Sequence, residues 1–519
     1  MSTTLAQRTA YVSFPGADYT HHAALSAARA VLEPKGWSVI DGASSSSSSF
    51  TSSSSSSSSP PSDSDSASTL PPNQSLYLAD YDLLPFETLL PRPSSPSSAS
   101  ASQCSSYVIR KALIRKHYLA SALHTYSVKH ADADRYRRFT PQTWALDVQF
   151  ADELDELLMD DLYDLNQILE HNEEVEDKGE VRWFILKPGM ADRGNGIRLF
   201  STVDQLRTIF EEFEPESDDE EEEDEEEGDG EEDQDEEEGE EKVEQERKYA
   251  GKDTSVMASQ LRHFVIQEYL SNPLLLNPSL QHPDVLSSTL SHLSLTSPFS
   301  SPSYRKFHLR AYVLCAGSLS VYLHDTMLAL FAPLPYSAPT DATMTDLRPH
   351  LTNTCLQPDG SLAIGDAGRP KEENVYLWQD LVGAKMPNGD GLREETVQEV
   401  KKKAVEVVGS TFEACAKAGA VHWQMWPNAF EIFGVDLLVQ TVEGGVDVQL
   451  LEVNAQPDFA QTGSRLSATI DRLFERTCQV AVLPFHNDPE ATAAVQDWKV
   501  GESREGTTLC FREELNKGW

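Results

Sequence analysis

Residues 216–241 hold 21 acidic side chains and not one lysine or arginine. Such a run repels itself and stays solvated, so no core can form from it. Whatever folds here must close around it as an insertion. Three other stretches share that status: 43–69 is nearly pure Ser, 92–106 is Ser/Pro, and 283–303 is Ser/Leu/Pro, while the acidic composition extends over about 214–247. None has enough apolar surface to offset the entropy of ordering. All four sit between patterned segments. Loop-closure entropy grows slowly with length, so the pattern reads as one fold carrying long surface insertions. No internal repeat is evident.

The run also explains half of the formal net charge of −42; without it, 63 acids face 42 bases. The remainder is still acidic, which argues against direct binding of duplex nucleic acid. The six cysteines are scattered with no CxxC pair. They read as reduced thiols of the cytosol or nucleus and not as a disulfide framework or zinc site. No window offers about 18 consecutive apolar residues, so no membrane partner is expected. The N-terminal MSTTLAQRTAYVSFPG lacks the layout of a signal peptide.

Periodicity gives a mixed pattern. YVSFPG (11–16) reads as a strand end, and 21–40 as a helix followed by a strand. Stretches 106–130, 151–174 and 394–418 read as helices, the first amphipathic with a basic face. Strands are expected at 181–189, 196–200 and 263–270, and a hairpin at 307–317 with 319–332. Flanking helices on mostly antiparallel strands give an α+β fold. The expected division is an N-terminal lobe 1–150, a central lobe 151–305, a C-terminal lobe 306–490 and a tail 491–519.

Four constellations carry chemistry. In FEIFGVDLLVQTVEGGVDVQLLEVNAQPD (430–458), acids interrupt two apolar strands joined by Glu443-Gly444-Gly445. A symmetric register about Gly444 sets Asp436 opposite Glu452, with Asn454 on the same face. Paired carboxylates repel unless a cation lies between them, and Mg²⁺ suits such oxygen donors. The alternative is two exposed acids with a bulge shifting the register. In WFILKPGMADRGNGIRLF (183–200), Lys187 ends an apolar strand before Gly189, Gly194 and Gly196, a loop able to approach phosphates. The alternative is a plain turn with a surface lysine. In FVIQEYL (264–270), a strand runs into Gln267, Glu268, Tyr269 and Leu270, whose backbone could meet an adenine edge; an ordinary strand end is the alternative. In RKFHLRAYVL (305–314), Lys306, His308 and Arg310 share one strand face, for binding anions or as a solvated cationic face.

Taken in order, these motifs resemble the tubulin-tyrosine-ligase-like family, an ATP-grasp fold with N-terminal, central and C-terminal lobes. The resemblance rests on ILKPGMADRGNGIRLF, VIQEYL, KFHLR, HLTN (350–353), FEIFGVD, EVNAQP and PQTW (141–144), and covers roughly 106–460. The start of the chain and SYVIRKALIRKHYLA are most similar to fungal members, which the resemblance links to mRNA processing bodies. It implies an ATP- and Mg²⁺-dependent ligase: ATP activates a carboxylate as acyl-phosphate and a free amino acid's amine attacks it. By motif, Lys187, Gly194, Gly196, Gln267, Glu268, Tyr269, Leu270, Lys306 and His308 would line the ATP site, with Lys111 of RKAL reaching the nucleotide. Asp436, Glu452 and Asn454 would hold Mg²⁺. Arg310 and Lys187 would serve catalysis by stabilising transferred charge. The protein substrate that the family suggests is the tubulin C-terminus.

Two departures matter. The family's K-F-D-x-R has His308 in place of its Asp, and the next stretch, VYLHDTMLALFAP, lacks the family's arginines and carries Asp325. A cleft that grips an acidic tail should be basic. Two functions therefore compete: a ligase, and an ATP-binding scaffold among mRNA decay factors. One consequence is independent of that choice. Deleting 216–241 should leave the melting temperature nearly unchanged; a fall of several degrees in calorimetry would mean that the run docks on the body.

Overall fold

The first apolar run forms strand β1, Thr9–Ser13, in a computed structural model that describes residues 7–45, 70–71, 73–89, 102–130, 136, 138–148, 150–175, 180–189, 196–213, 262–278, 303–352, 374–455 and 457–513. β1 lies parallel to β2 (Ser38–Asp41) and β3 (Leu76–Ala79), and β3 lies parallel to β4 (Gln103–Cys104), in the order β2-β1-β3-β4. Parallel neighbours need a crossover, and the helix Asp18–Leu32 supplies it between β1 and β2. Ala23, Ala24, Ala27 and Ala28 repeat at helical spacing and are buried. This sheet is wholly parallel, against the mostly antiparallel expectation. Its third and fourth strands are four and two residues long, too short to show a period.

β4 also corrects the insertion 92–106. Gln103 and Cys104 are buried, so the low-complexity stretch stops before them. The basic segment 106–130 is not one helix: Lys111–Ile114 and Lys116–Lys129 are separated by an extended Arg115, φ −103° and ψ 117°.

The described residues fall into two compact units, one within 1–140, 272–337 and 348–519, the other within 141–271 and 338–347. In the smaller unit, β5 (Thr143–Asp147), β6 (Phe184–Pro188), β7 (Arg198–Phe200) and β8 (His263–Glu268) form an antiparallel sheet in the order β5-β8-β6-β7. Phe184, Leu186, Phe264 and Ile266 share a core with Leu154, Leu165, Leu169 and Leu206 of the helices Glu153–Met159, Tyr163–Glu174 and Val203–Phe213. Side chains alternate along a strand. Ile185, Lys187, Val265 and Gln267 therefore occupy the other face.

The larger unit holds an eight-stranded sheet built on β9 (Phe307–Ala316). β10 (Ser320–His324) and β11 (Leu328–Phe331) pair with its two halves, and β12 (Val375–Leu377) extends β11. β13 (Phe430–Val442) pairs with both β9 and β14 (Gly445–Ala455). Flanked on both edges, β9 is buried from Phe307 to Cys315. The strand expected over 319–332 is thus two strands. Chain beyond 490 is built into the same sheet: β15 (Ser503–Arg504) pairs with β16 (Thr507–Arg512), and β16 with β10. The helix Glu394–Ala418 matches its expected bounds; Val397, Val400, Ala404, Val407, Val408 and Phe412 form its buried stripe.

Glu431 ties these layers together. Its carboxylate lies 2.8 Å from Arg110 Nε and accepts the Tyr107 amide at 3.0 Å, while the Arg110 guanidinium stacks 3.7 Å over Tyr81. Burial pushes the Glu431 carboxyl up to about 7, against the opposing pull of Arg110 and the Tyr107 amide. The folded state then keeps this proton to higher pH than the unfolded chain does, so its contribution to stability is lost as pH rises from about 4.5 toward about 7. The stability difference between wild type and Glu431→Gln, from urea unfolding, should therefore shift against wild type across that window. A difference independent of pH would contradict the assignment.

Candidate active site

The hairpin β13–β14 places Asp436 opposite Glu452, as the symmetric register requires, but by a different route. The loop has two residues, Glu443 and Gly444, and Val442 pairs with Gly445. Gly444 supplies the positive φ, +83°, that this turn needs. From there to Leu437–Leu450 the pairing runs one residue off the expected register. A bulge then leaves Leu451 without a direct opposite, so Asp436–Glu452, Val435–Val453 and Gly434–Asn454 come into line. The bulge, expected only as the feature that would separate the acids, is what brings them together.

β13 also sets Asp436 beside Arg310 of β9. The guanidinium grips the carboxylate with two bonds, Nε to Oδ1 at 2.5 Å and Nη2 to Oδ2 at 3.1 Å. Burial works against the charge of Arg310, but the Asp436 carboxylate outweighs it, and the pKa rises above the ordinary arginine value. Asn454 Nδ2 donates to Asp436 Oδ2 at 3.2 Å and to Glu452 Oε1 at 3.3 Å. Lys116 Nζ lies 3.5 Å from Glu452 Oε2. A charged row thus crosses three strands: Arg310, Asp436, Asn454 with Glu452, and Lys116. Gly434 makes room for it, since a Cβ there would stand 3.2 Å from Arg310 Cδ and 3.3 Å from Pro457.

His308 lies two residues before Arg310 on the same face. Its Nδ1 meets Thr352 Oγ1 at 2.5 Å and its Nε2 is 3.6 Å from Asp436 Oδ1. Burial, opposed by Asp436, pushes its pKa below the ordinary histidine range, so the ring is neutral near pH 7. Lys306, His308 and Arg310 are all buried, which rules out a solvated cationic face. The other acids of the hairpin have partners too: Glu431 has Arg110, and Asp447 lies 3.8 Å from Lys403 Nζ. Asp325 is bound to Lys401 at 2.9 Å and accepts from Thr508 at 2.6 Å, a link between β10, the long helix and β16.

In the smaller unit, Lys187 Nζ donates to Gln267 Oε1 at 2.8 Å, and Gln267 Nε2 to Thr143 Oγ1 at 3.2 Å. Lys187 is buried, not the surface lysine of a plain turn. Glu268 is held by Arg182 at 2.9 Å, and the Tyr269 amide donates to Trp183 O at 2.8 Å; Leu270 follows, half-buried. Gly196 has φ +70° and packs against Pro188. Gly194 and the C-terminal Asn of HLTN lie outside the described residues. Lys111 opens its short helix, exposed. The lysine beside Glu452 is Lys116, from the second Arg-Lys pair of RKALIRK. Two such pairs five residues apart offered no sequence reason to prefer the second. Thr352 and Arg110 were also missed, since their roles depend on contacts far along the chain.

Among the described residues no three His, Cys, Asp or Glu side chains gather as a metal site; the donor set here is two carboxylates and an amide. These hard oxygens fit a magnesium ion, with the Asn454 amide turned to present its oxygen and Asp436 keeping Arg310 on a remaining lone pair.

A family model described as the tubulin-tyrosine ligase family matches residues 109–490. The chain belongs to the tubulin-tyrosine ligase family. It is 38% identical over 408 residues to a probable tubulin–tyrosine ligase of Schizosaccharomyces pombe, covering 78% of this chain and 82% of the relative. It is 34% identical over 418 residues to the probable tubulin–tyrosine ligase PBY1 of Saccharomyces cerevisiae, covering 79% of this chain but only 46% of that relative. Among solved structures it is similar to the C-terminal domain of K. lactis Pby1, described as an ATP-grasp enzyme interacting with the mRNA decapping enzyme Dcp2. That match has a TM-score of 0.55 and 26% identity, and covers 98% of this chain and 99% of the other. The α+β, ATP-grasp expectation holds. No described helix is long and apolar enough to cross a membrane.

Asp436→Asn strips the countercharge from a buried arginine. It should cost about 3 kcal/mol or more, whereas Glu452→Gln, whose side chain is 21% exposed, should cost less than about 1 kcal/mol. Equal losses in urea unfolding would contradict the weight placed on the Arg310 pair.

Proposed function

We propose that this family member is an ATP- and Mg²⁺-dependent carboxylate–amine ligase that adds a free amino acid to a protein substrate. The observation that carries the reading is the Asp436–Asn454–Glu452 oxygen cluster, built against Arg310 by a bulge with no evident structural purpose.

In this reading the γ-phosphoryl group of ATP passes to the substrate carboxylate, ADP leaves, and the amino acid's amine displaces phosphate to form the amide. A magnesium ion held by Asp436, Glu452 and Asn454 neutralises phosphate charge when bound. Lys187 and Lys306 bind phosphate oxygens as point charges, and Gln267 orients Lys187 through the 2.8 Å bond already present. The backbone from Glu268 to Leu270 meets the adenine edge. Arg310, held in orientation by Asp436, stabilises charge developing on the transferred group. Lys116 shields Glu452, and Lys111 serves as an outer phosphate contact. The protein nucleophile is absent from this scheme because the incoming amine performs that role.

A second reading has its own support. The neutral His308 replaces an acidic family residue beside the site, and the solved relative from K. lactis interacts with Dcp2. Here the chain is an ATP-binding scaffold among mRNA decay factors, in cytoplasmic processing bodies. Incubation with MgATP, labelled tyrosine or glutamate, and lysate or tubulin separates the two. The ligase reading expects protein-bound label that falls at least about 100-fold in Glu452→Gln, as for loss of a group stabilising transferred charge. ATP binding with no incorporation, together with co-purifying decay factors, would overturn it in favour of the scaffold.

A further inference from the structure

Beside the oxygen cluster, the Nε2 of His308 has no hydrogen-bond partner among the described residues. The residue is only 4% exposed, on a strand paired into the sheet. Buried polar atoms are satisfied in the great majority of cases, and an exception calls for an explanation such as an ion. The other end of the ring is fixed by Thr352 Oγ1, 2.5 Å from Nδ1. With Nδ1 as the donor there, Nε2 carries a lone pair. The opposite tautomer would aim an N–H at Asp436 Oδ1 across 3.6 Å, too far for a hydrogen bond. Metal-ligating histidines are held in the first way, one nitrogen donating to an oxygen and the other left for the ion.

Asp436 offers that ion a second ligand. The Arg310 fork occupies one lone pair on each carboxylate oxygen. Oδ2 also accepts from Asn454 at 3.2 Å, whereas Oδ1 is the oxygen that His308 Nε2 faces. Two donors each about 2.1 Å from one ion stand roughly 3.0–3.6 Å apart at ligand angles of about 90–120°, so the observed 3.6 Å suits a shared ion. A carboxylate with one oxygen toward each side can join two ions about 3.5–4 Å apart. Two protein ligands leave positions for phosphate oxygens and water. Lys306 and Arg310 stand on the same strand face as His308, so the position fills together with a triphosphate, whose charge offsets theirs.

We propose that His308 Nε2 and Asp436 Oδ1 form a second divalent-ion position, selective for Mn²⁺ over Mg²⁺, beside the oxygen-only position of Asp436, Asn454 and Glu452. The inference rests on the metal–nucleotide reading above, whose phosphates complete the shell, and not on turnover. Magnesium takes oxygen ligands and dehydrates reluctantly. A nitrogen donor favours a first-row transition ion, and Mn²⁺ is the one also suited to carboxylate and water oxygens. The ring therefore decides which metal this position selects.

Pulsed electron paramagnetic resonance on the full chain tests this, with one equivalent of Mn²⁺, the β,γ-methylene analogue of ATP and excess Mg²⁺. The bound Mn²⁺ should show imidazole-nitrogen modulation, and its frequency should change when the protein's histidines carry heavy nitrogen. His308→Asn keeps a side-chain donor for Thr352 but has no atom at the Nε2 position. It should abolish the modulation and lower the preference for Mn²⁺ over Mg²⁺, read by calorimetry with the same analogue, about tenfold. Melting curves establish that the variant is folded; if it is not, the labelled wild type alone decides. Mn²⁺ bound with no histidine-nitrogen coupling in the wild type, or an unchanged metal preference in folded His308→Asn, overturns the proposal and leaves the magnesium reading standing. No binding of the analogue with either metal overturns both.

Discussion

The bidentate bond between Arg310 and Asp436 is the constraint on which the larger unit's chemistry depends. Both groups lie on central strands, with pairing on both edges of β9. A guanidinium in that position is tolerated only with a fixed countercharge. Once Asp436 is committed there, the bulge at Leu451 decides what stands beside it. With the bulge, Glu452 and Asn454 converge on the same carboxylate; without it, their strand would present Leu451 opposite Asp436 and turn the oxygens away. Four acids are thereby accommodated in an apolar hairpin, each beside a cation from a different part of the chain.

That arrangement also explains why this site has chemical potential and the Glu431 pair does not. Glu431 is sealed between Arg110 and a backbone amide, and its role is to hold the segment after β4 against β13. Glu452 is part exposed and its counterion, Lys116, is at 3.5 Å, a looser contact that a metal-bound phosphate could replace. The neutral His308 adds no charge to the row, so the balance of charge there rests on Arg310, Lys306 and Lys116 against two carboxylates.

Much of this was legible in the sequence where a period was long or a motif had several parts. The 25-residue helix 394–418 was bounded correctly because its apolar stripe repeats over seven turns. The Asp436–Glu452 pairing was reached from the turn, although two errors of one residue, in the loop and in the bulge, cancelled. What stayed hidden was set by distance along the chain or by brevity. The two-residue strand Gln103–Cys104 borders a Ser/Pro stretch and has no pattern of its own. β16 reads as tail because its partner, β10, is nearly 190 residues away. Lys116 and Lys111 are indistinguishable until an extended Arg115 breaks the helix and aims only one of them at Glu452.

The central claim, that side-chain oxygens of β13 and β14 hold a divalent ion on a triphosphate, is tested most directly by titrating ATP into the full chain with and without magnesium. The account predicts saturable binding with magnesium that weakens by an order of magnitude or more when the metal is chelated. Affinity that is the same in both conditions would contradict it.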